Sequence, residues 1–235
     1  MTGRVDDRAA DDRADSAGNR ADDTMARMNR MYRRQRHLYD ATRKFYLLGR
    51  DDLIERLAPR PGDRVLEIGC GTGRNLVQAA RRWPQARFFG VDVSTEMLTS
   101  AAEAIARAGL GGRIQIAQAD AVTLDPAAVF GVPRFERVYF SYTLSMIPDW
   151  HGALDRALGL VAPGGELQIV DFGGQEHLPG GVRTALRAWL ALFHVTPRDH
   201  LEMRLAARAQ ALGAALTVER PFRGYAQCAR LRIAG

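Results

Sequence analysis

The sequence predicts an α/β fold with a doubly wound, mainly parallel sheet and a helical segment in front of it. Three observations carry that reading. Beyond Pro61, short β-rich runs alternate with helical stretches, the pattern of a parallel sheet covered on both faces. The first of those runs ends in a glycine-rich loop, Gly69-Cys70-Gly71-Thr72-Gly73, that leads into a helix. Acidic residues then recur at the carboxyl ends of the next strands, where open parallel sheets bind their ligands.

The elements follow in order. Residues 1–24 hold seven aspartates and four arginines with almost no large apolar side chains, and a stretch of that kind is expected to be a disordered acidic tail. Residues 25–60 form the second unit, a basic amphipathic helical cap in which Met28, Met31 and Tyr32 share a helical spacing. Its last helix is expected over 51–57, stopped by Pro59 and Pro61. The third unit, 61–235, opens with the strand Arg64–Ile68 and a helix over 74–82. Strands at 87–91, 113–117, 137–140 and 166–170 continue the alternation, with helices at 96–108 and 153–160. Two helices at 181–193 and 198–212 then precede strands at 216–219 and 225–232, which makes seven strands in all.

Composition narrows the function. No apolar run approaches the roughly 20 residues of a membrane span, and the first residues lack the apolar stretch of a secretory signal. Cys70 and Cys228 have no metal-ligand spacing, so no metal is expected and a cytoplasmic setting with free thiols is. The formal charge of +6 is concentrated: residues 25–50 carry a net +7, against −3 in residues 1–24. Such a segment suits an anionic membrane surface, a nucleic acid or an anionic ligand. It contains no recognised RNA-binding motif, and no nucleic-acid partner is expected.

The strand Val65–Ile68 and its glycine loop are the sharpest chemical signal. Glycine permits a tight turn and lets a ligand approach the backbone, and the start of a helix offers unpaired N–H donors. A dinucleotide fingerprint would need a glycine where Arg74 stands, and a phosphate-binding loop would need a lysine. Asp92 ends the second strand, where a carboxylate can accept both hydroxyls of a ribose. The alternative is that Asp92 caps the following helix, but Ser94 is the better N-cap candidate. Asp120, in Gln118-Ala119-Asp120-Ala121, ends the third strand and can accept from an exocyclic amine. Cys70 is read as a small tolerated side chain, and no base is assigned among His37, His194 and His200.

Together, VLEIGCGTG, GVDVS, QADA and LVAPGGELQIVDF look like the motifs of class I S-adenosylmethionine-dependent methyltransferases, over roughly residues 62–172. The resemblance implies a Rossmann-like seven-stranded sheet with the last strand antiparallel and inserted. It implies S-adenosyl-L-methionine as cofactor, with Glu67 and the loop of Gly69, Gly71 and Gly73 at its methionine part. Asp92 would take the ribose, and Val93, Asp120 and Ala121 the adenine, with Phe140 completing the set.

A narrower resemblance lies in the segment Met31 to Asp51, in Ser141 to Trp150, and in Arg223-Gly224-Tyr225-Ala226. These are similar to bacterial betaine-lipid N-methyltransferases, which trimethylate the amine of diacylglyceryl homoserine. Phospholipid and quinone methyltransferases share parts of the pattern. It implies an enzyme held peripherally at the inner, anionic face of a membrane, with a lipid as its substrate partner. Nitrogen gains positive charge as it attacks, which aromatic faces can stabilise, and Tyr39, Tyr46 and Tyr142 are the candidates, Tyr142 first. Arg43 or Arg50 could pair with the lipid carboxylate. The helix around Leu186 to Phe193 reads first as a core helix under the sheet, and otherwise as a second membrane contact. A methyltransferase acting on RNA and a non-catalytic cofactor-binding regulator are the competing classes.

Overall fold

The computed structural model describes residues 47–235. Tyr39, Arg43, Tyr46 and the expected tail over 1–24 lie outside those residues, as does most of the expected cap. The chain enters through α1 (Arg50–Leu57), which presents Leu53, Ile54 and Leu57 to the interior. There follow β1 (Arg64–Ile68), α2 (Arg74–Arg82), β2 (Arg87–Asp92), α3 (Thr95–Arg107) and β3 (Ile114–Gln118). A short helix α4 (Pro126–Phe130) precedes β4 (Phe135–Ser141), α5 (Trp150–Leu160) and β5 (Val161–Phe172). The chain ends with α6 (Gly180–Leu192), α7 (Leu201–Leu212), β6 (Ala215–Glu219), a 3-10 turn at Phe222–Gly224 and β7 (Ala226–Arg232).

The seven strands lie in the order β3-β2-β1-β4-β5-β7-β6. Pairs β1–β2, β1–β4, β2–β3 and β4–β5 are parallel, and β7 runs antiparallel between β5 and β6. The expected architecture, including the inserted last strand, is therefore the observed one. The chain order reverses direction between β1 and β4, so the carboxyl ends of these two neighbours flank the crevice where such sheets bind ligands.

Successive side chains of a strand point to opposite faces, and here both faces are covered. Val138 and Phe140 of β4 join one apolar cluster with Leu154 and Ala157 of α5 and Leu205 of α7. Tyr139, between them in sequence, joins the other cluster with Leu57 of α1, Leu76 of α2 and Ile105 of α3. Because both faces are apolar, the strands read as nearly continuous hydrophobic runs.

Local capping explains where the helices begin. Ser94 accepts from the Met97 N–H at 3.3 Å and starts α3, as its sequence position predicts. Asp149 accepts from the Gly152 N–H at 2.9 Å, so α5 begins three residues before the expected 153. Asp125 caps α4 with Pro126 at its first position, a start signal that the sequence reading passed over. The region 186–193 departs further from expectation. Helix α6 buries only Leu190, leaving Leu192 and Val182 exposed, so it is a surface helix, not a core helix under the sheet. Among the described residues no helix is long and apolar enough to cross a membrane.

Candidate active site

The loop between β1 and α2 turns on three glycines with positive φ: Gly69 at 76°, Gly71 at 53° and Gly73 at 74°. The N–H groups of Gly69 and Cys70 both donate to the Val91 carbonyl, at 2.8 and 2.9 Å, which pins the loop to the end of β2. Two of the glycines make room for protein. A Cβ on Gly69 would lie 2.1 Å from Thr143 Cγ2, and one on Gly73 would lie 3.0 Å from the Ala101 Cβ of α3. Gly73 caps α2 without a side-chain hydrogen bond, so the helix start keeps N–H donors that face the loop.

Asp92 closes the loop from the other side. Its Oδ2 accepts from the Gly71 N–H at 2.8 Å and its Oδ1 from the Ser94 N–H at 2.9 Å. The residue is half-buried at the carboxyl end of β2, the position from which a carboxylate of such a sheet can accept a ligand diol. Asp120 is exposed at the end of β3, where its Oδ1 accepts from the Val122 N–H at 2.7 Å. Val93 and Ala121, which follow these two carboxylates in sequence, are half-buried, and the Val93 carbonyl accepts from Gln118 at 3.1 Å. A carboxylate suited to a diol, a second suited to an exocyclic amine, and an uncapped helix start suited to a carboxylate fit the three polar parts of S-adenosylmethionine.

Glu67 differs from its expected role. Its oxygens accept from Asn75 Nδ2 at 2.8 Å and the Tyr139 hydroxyl at 3.0 Å, tying β1 to α2 and to β4. The residue is only 1% exposed, which leaves it no surface for the methionine part of a ligand. Burial pushes its pKa up to about 8, against the pull of the Asn75 and Tyr139 hydrogen bonds and of the Arg50 charge. Glu67 is thus a brace of the loop, largely protonated at neutral pH.

The structure corrects two further assignments. Phe140 is fully buried and shares a core cluster with Leu144 and α5 side chains, so its ring belongs to the core and offers no surface to a cofactor. Tyr142 is 3% exposed, its ring packs edge-on to Phe172 at 4.7 Å, and its hydroxyl donates to the Leu48 carbonyl at 2.6 Å. Burial raises its pKa well above the phenol value. With φ at 56°, it turns back under the incoming chain and fastens residue 48 to the sheet. It therefore has no face for a methyl-accepting nitrogen. Arg50 is buried at the start of α1, close enough for its charge to act on Glu67 and Tyr142.

Thr143 is the side chain that the sequence reading missed. It is half-exposed, packs against Gly69, and donates at 3.3 Å towards the carbonyls of Gly69 and Ser141. It sits where the loops after β1 and β4 meet. Its only sequence signal is a polar residue two places beyond a hydrophobic strand.

Residues 65–165 match a family described as Methyltransferase domain. A trans-aconitate 2-methyltransferase from Streptomyces avermitilis is 36% identical over 118 residues, covering 49% of this chain and 42% of that protein. The chain thus spans about two fifths of the length of that relative. Among solved structures, the YcgJ protein of Bacillus subtilis has a TM-score of 0.61 at 15% identity, covering 80% of this chain and 98% of that one. Phosphoethanolamine N-methyltransferase 2 of Haemonchus contortus, solved with S-adenosyl-L-methionine, has a TM-score of 0.58 at 25% identity. It covers 73% of this chain and 38% of that one.

Proposed function

We propose that residues 65–165, which match a family described as Methyltransferase domain, form a class I S-adenosylmethionine-dependent methyltransferase domain, and that the chain methylates the amine of a lipid, diacylglyceryl homoserine, to its trimethylammonium form. The observation that carries the lipid reading is a wall of apolar and aromatic side chains. Met146, Leu186, Trp189, Phe193 and Tyr225 are partly buried and pack on the apolar cluster that includes Tyr142 and Phe172. A wall of apolar and aromatic side chains suits an acceptor whose bulk is apolar. The basic segment 25–50 adds attraction to an anionic bilayer surface.

In this reading the cofactor, when bound, supplies a methyl group on a sulfonium. Asp92 accepts the ribose hydroxyls, Asp120 the adenine amine, and the N–H groups at the start of α2 receive the methionine carboxylate. Glu67 holds the loop in shape through Asn75 and Tyr139. The acceptor enters past Thr143, and the contribution of the protein is chiefly alignment of the acceptor nitrogen. The apolar wall excludes water from the transfer.

A second reading has its own observation. The similarity to a trans-aconitate 2-methyltransferase favours a small organic acid as acceptor. The purified chain is incubated with labelled S-adenosylmethionine and, separately, with vesicles of diacylglyceryl homoserine, vesicles of phosphatidylethanolamine, and trans-aconitate. The lipid reading expects mass spectrometry to find stepwise methylation of diacylglyceryl homoserine. Label in trans-aconitate with both lipids untouched would overturn it, and label in phosphatidylethanolamine alone would move the acceptor to the phospholipid.

A further inference from the structure

We propose that Arg198 and Asp171 are positioning residues for the acceptor half of the site, holding residues 143–147 so that Thr143 stays packed against Gly69 of the cofactor loop. The inference rests on the reading above that an acceptor enters past Thr143. Residues 143–147 follow β4 and belong to no long helix or strand, so their placement depends on what their backbone groups bind. Three of those groups are held by two charged side chains. The Ser145 N–H donates to Asp171 Oδ2 at 3.0 Å. Arg198 donates through Nε to the Leu144 carbonyl at 2.9 Å and through Nη2 to the Ile147 carbonyl at 2.6 Å.

Asp171 is taken wholly from water to do this, and Arg198 in part. Asp171 is fully buried at the end of β5, with Oδ1 accepting the Phe172 N–H at 2.8 Å. Burial raises its pKa and lowers that of Arg198, while each charge favours the ionised form of the other. An apolar pair would fill such a space at less electrostatic cost. What the charged pair adds is fixed geometry, because a guanidinium fork sets the spacing between two carbonyls. Gln227 reinforces the arrangement by donating to the Phe172 carbonyl at 2.8 Å and the Arg198 carbonyl at 3.2 Å. The Arg198 guanidinium also lies 5.8 Å from the ring centre of Trp150, the first residue of α5. Arg198 comes from the connection between α6 and α7, so the element beside the apolar wall governs the loop that meets the cofactor loop.

The test uses the full chain and three variants, Arg198→Met, Arg198→Lys and Asp171→Asn. Amide hydrogen exchange is read at residues 143–147 and in the sheet, binding is read with S-adenosylhomocysteine, and turnover with the acceptor is split into kcat and KM. Arg198→Met should speed exchange at 145–147 by about tenfold or more while the strands keep their protection. It should leave S-adenosylhomocysteine affinity within about threefold and lower kcat by roughly 30- to 100-fold, because misplacement of about 1 Å costs that order of rate. Arg198→Lys, able to reach one carbonyl, should recover part of both losses. Asp171→Asn, which keeps one acceptor oxygen, should loosen the same amides, and it decides the matter if Arg198→Met does not fold. Wild-type exchange at 145–147 in the variants, or exchange that quickens equally across the sheet, would overturn the proposal. Exchange needs no acceptor, so a wild-type chain that leaves lipid unmethylated would sink the lipid reading without touching this one.

Discussion

Replacing Glu67 by glutamine should stabilise the protein, and increasingly so as the pH rises. Burial holds the folded pKa at about 8, above the ordinary value of 4.5. Between those two values the folded chain binds a proton that the unfolded chain has released. Stability therefore falls as pH rises through this window, with most of the loss reached by pH 8. Linkage over that interval gives a loss of about 3 kcal/mol between pH 5 and pH 8, a large part of a typical net stability of about 5–15 kcal/mol. Glutamine removes the proton from the balance. Its amide can still accept from one of Asn75 and Tyr139 and donate to the other, since an amide and a phenol can each serve in either sense. Urea unfolding of both proteins at pH 5 and pH 8 measures the difference of differences, in which all other titrating groups cancel. The glutamine variant should be close to wild type at pH 5 and more stable at pH 8 by about 3 kcal/mol. A variant that parallels wild type at both values would mean that Glu67 is not held protonated, and would refute the reasoning.

Three other outcomes follow from the same contacts. Gly69→Ala should destabilise by about 2 kcal/mol or more, because a methyl group cannot share space with Thr143 and alanine is strained at φ 76°. Adding Thr143→Ala should return about 1 kcal/mol of it in a double-mutant cycle, and strict additivity would show that the two do not touch. Tyr142→Phe should cost about 1–2 kcal/mol in thermal unfolding by stranding the Leu48 carbonyl. It should leave the acceptor KM near wild type, and a large KM effect would return Tyr142 to the acceptor site. Asp92→Ala should weaken S-adenosylhomocysteine by about 2–3 kcal/mol in calorimetry, since ribose contacts and the Gly71 and Ser94 backbone bonds are lost together. Wild-type affinity there would remove Asp92 from the cofactor site.

Features that depend on neighbours along the chain are legible in the sequence. The alternation of strand and helix after Pro61, the glycine loop that ends β1, the N-cap at Ser94 and the carboxylates at the ends of β2 and β3 all follow from local pattern and turn chemistry. Those features are enough to place a cofactor crevice. Which side chains gather beside that crevice depends on packing between strands far apart in the chain. β1 and β4 are distant in sequence and adjacent in the sheet, and that adjacency brings Tyr139 to Glu67 and Thr143 to Gly69. Phe140 and Tyr142 look alike as aromatic residues at a strand end, while Thr143 beside them shows only as a polar residue after a hydrophobic strand. Phe140 goes into the core, Tyr142 beneath Leu48, and Thr143 against Gly69, because strand direction and the turn at positive φ assign their faces. Burial likewise changed the chemistry of Glu67. A carboxylate that reads as a ligand contact becomes a protonated brace once it is removed from water, a property of its surroundings that no neighbouring residue in the sequence reveals.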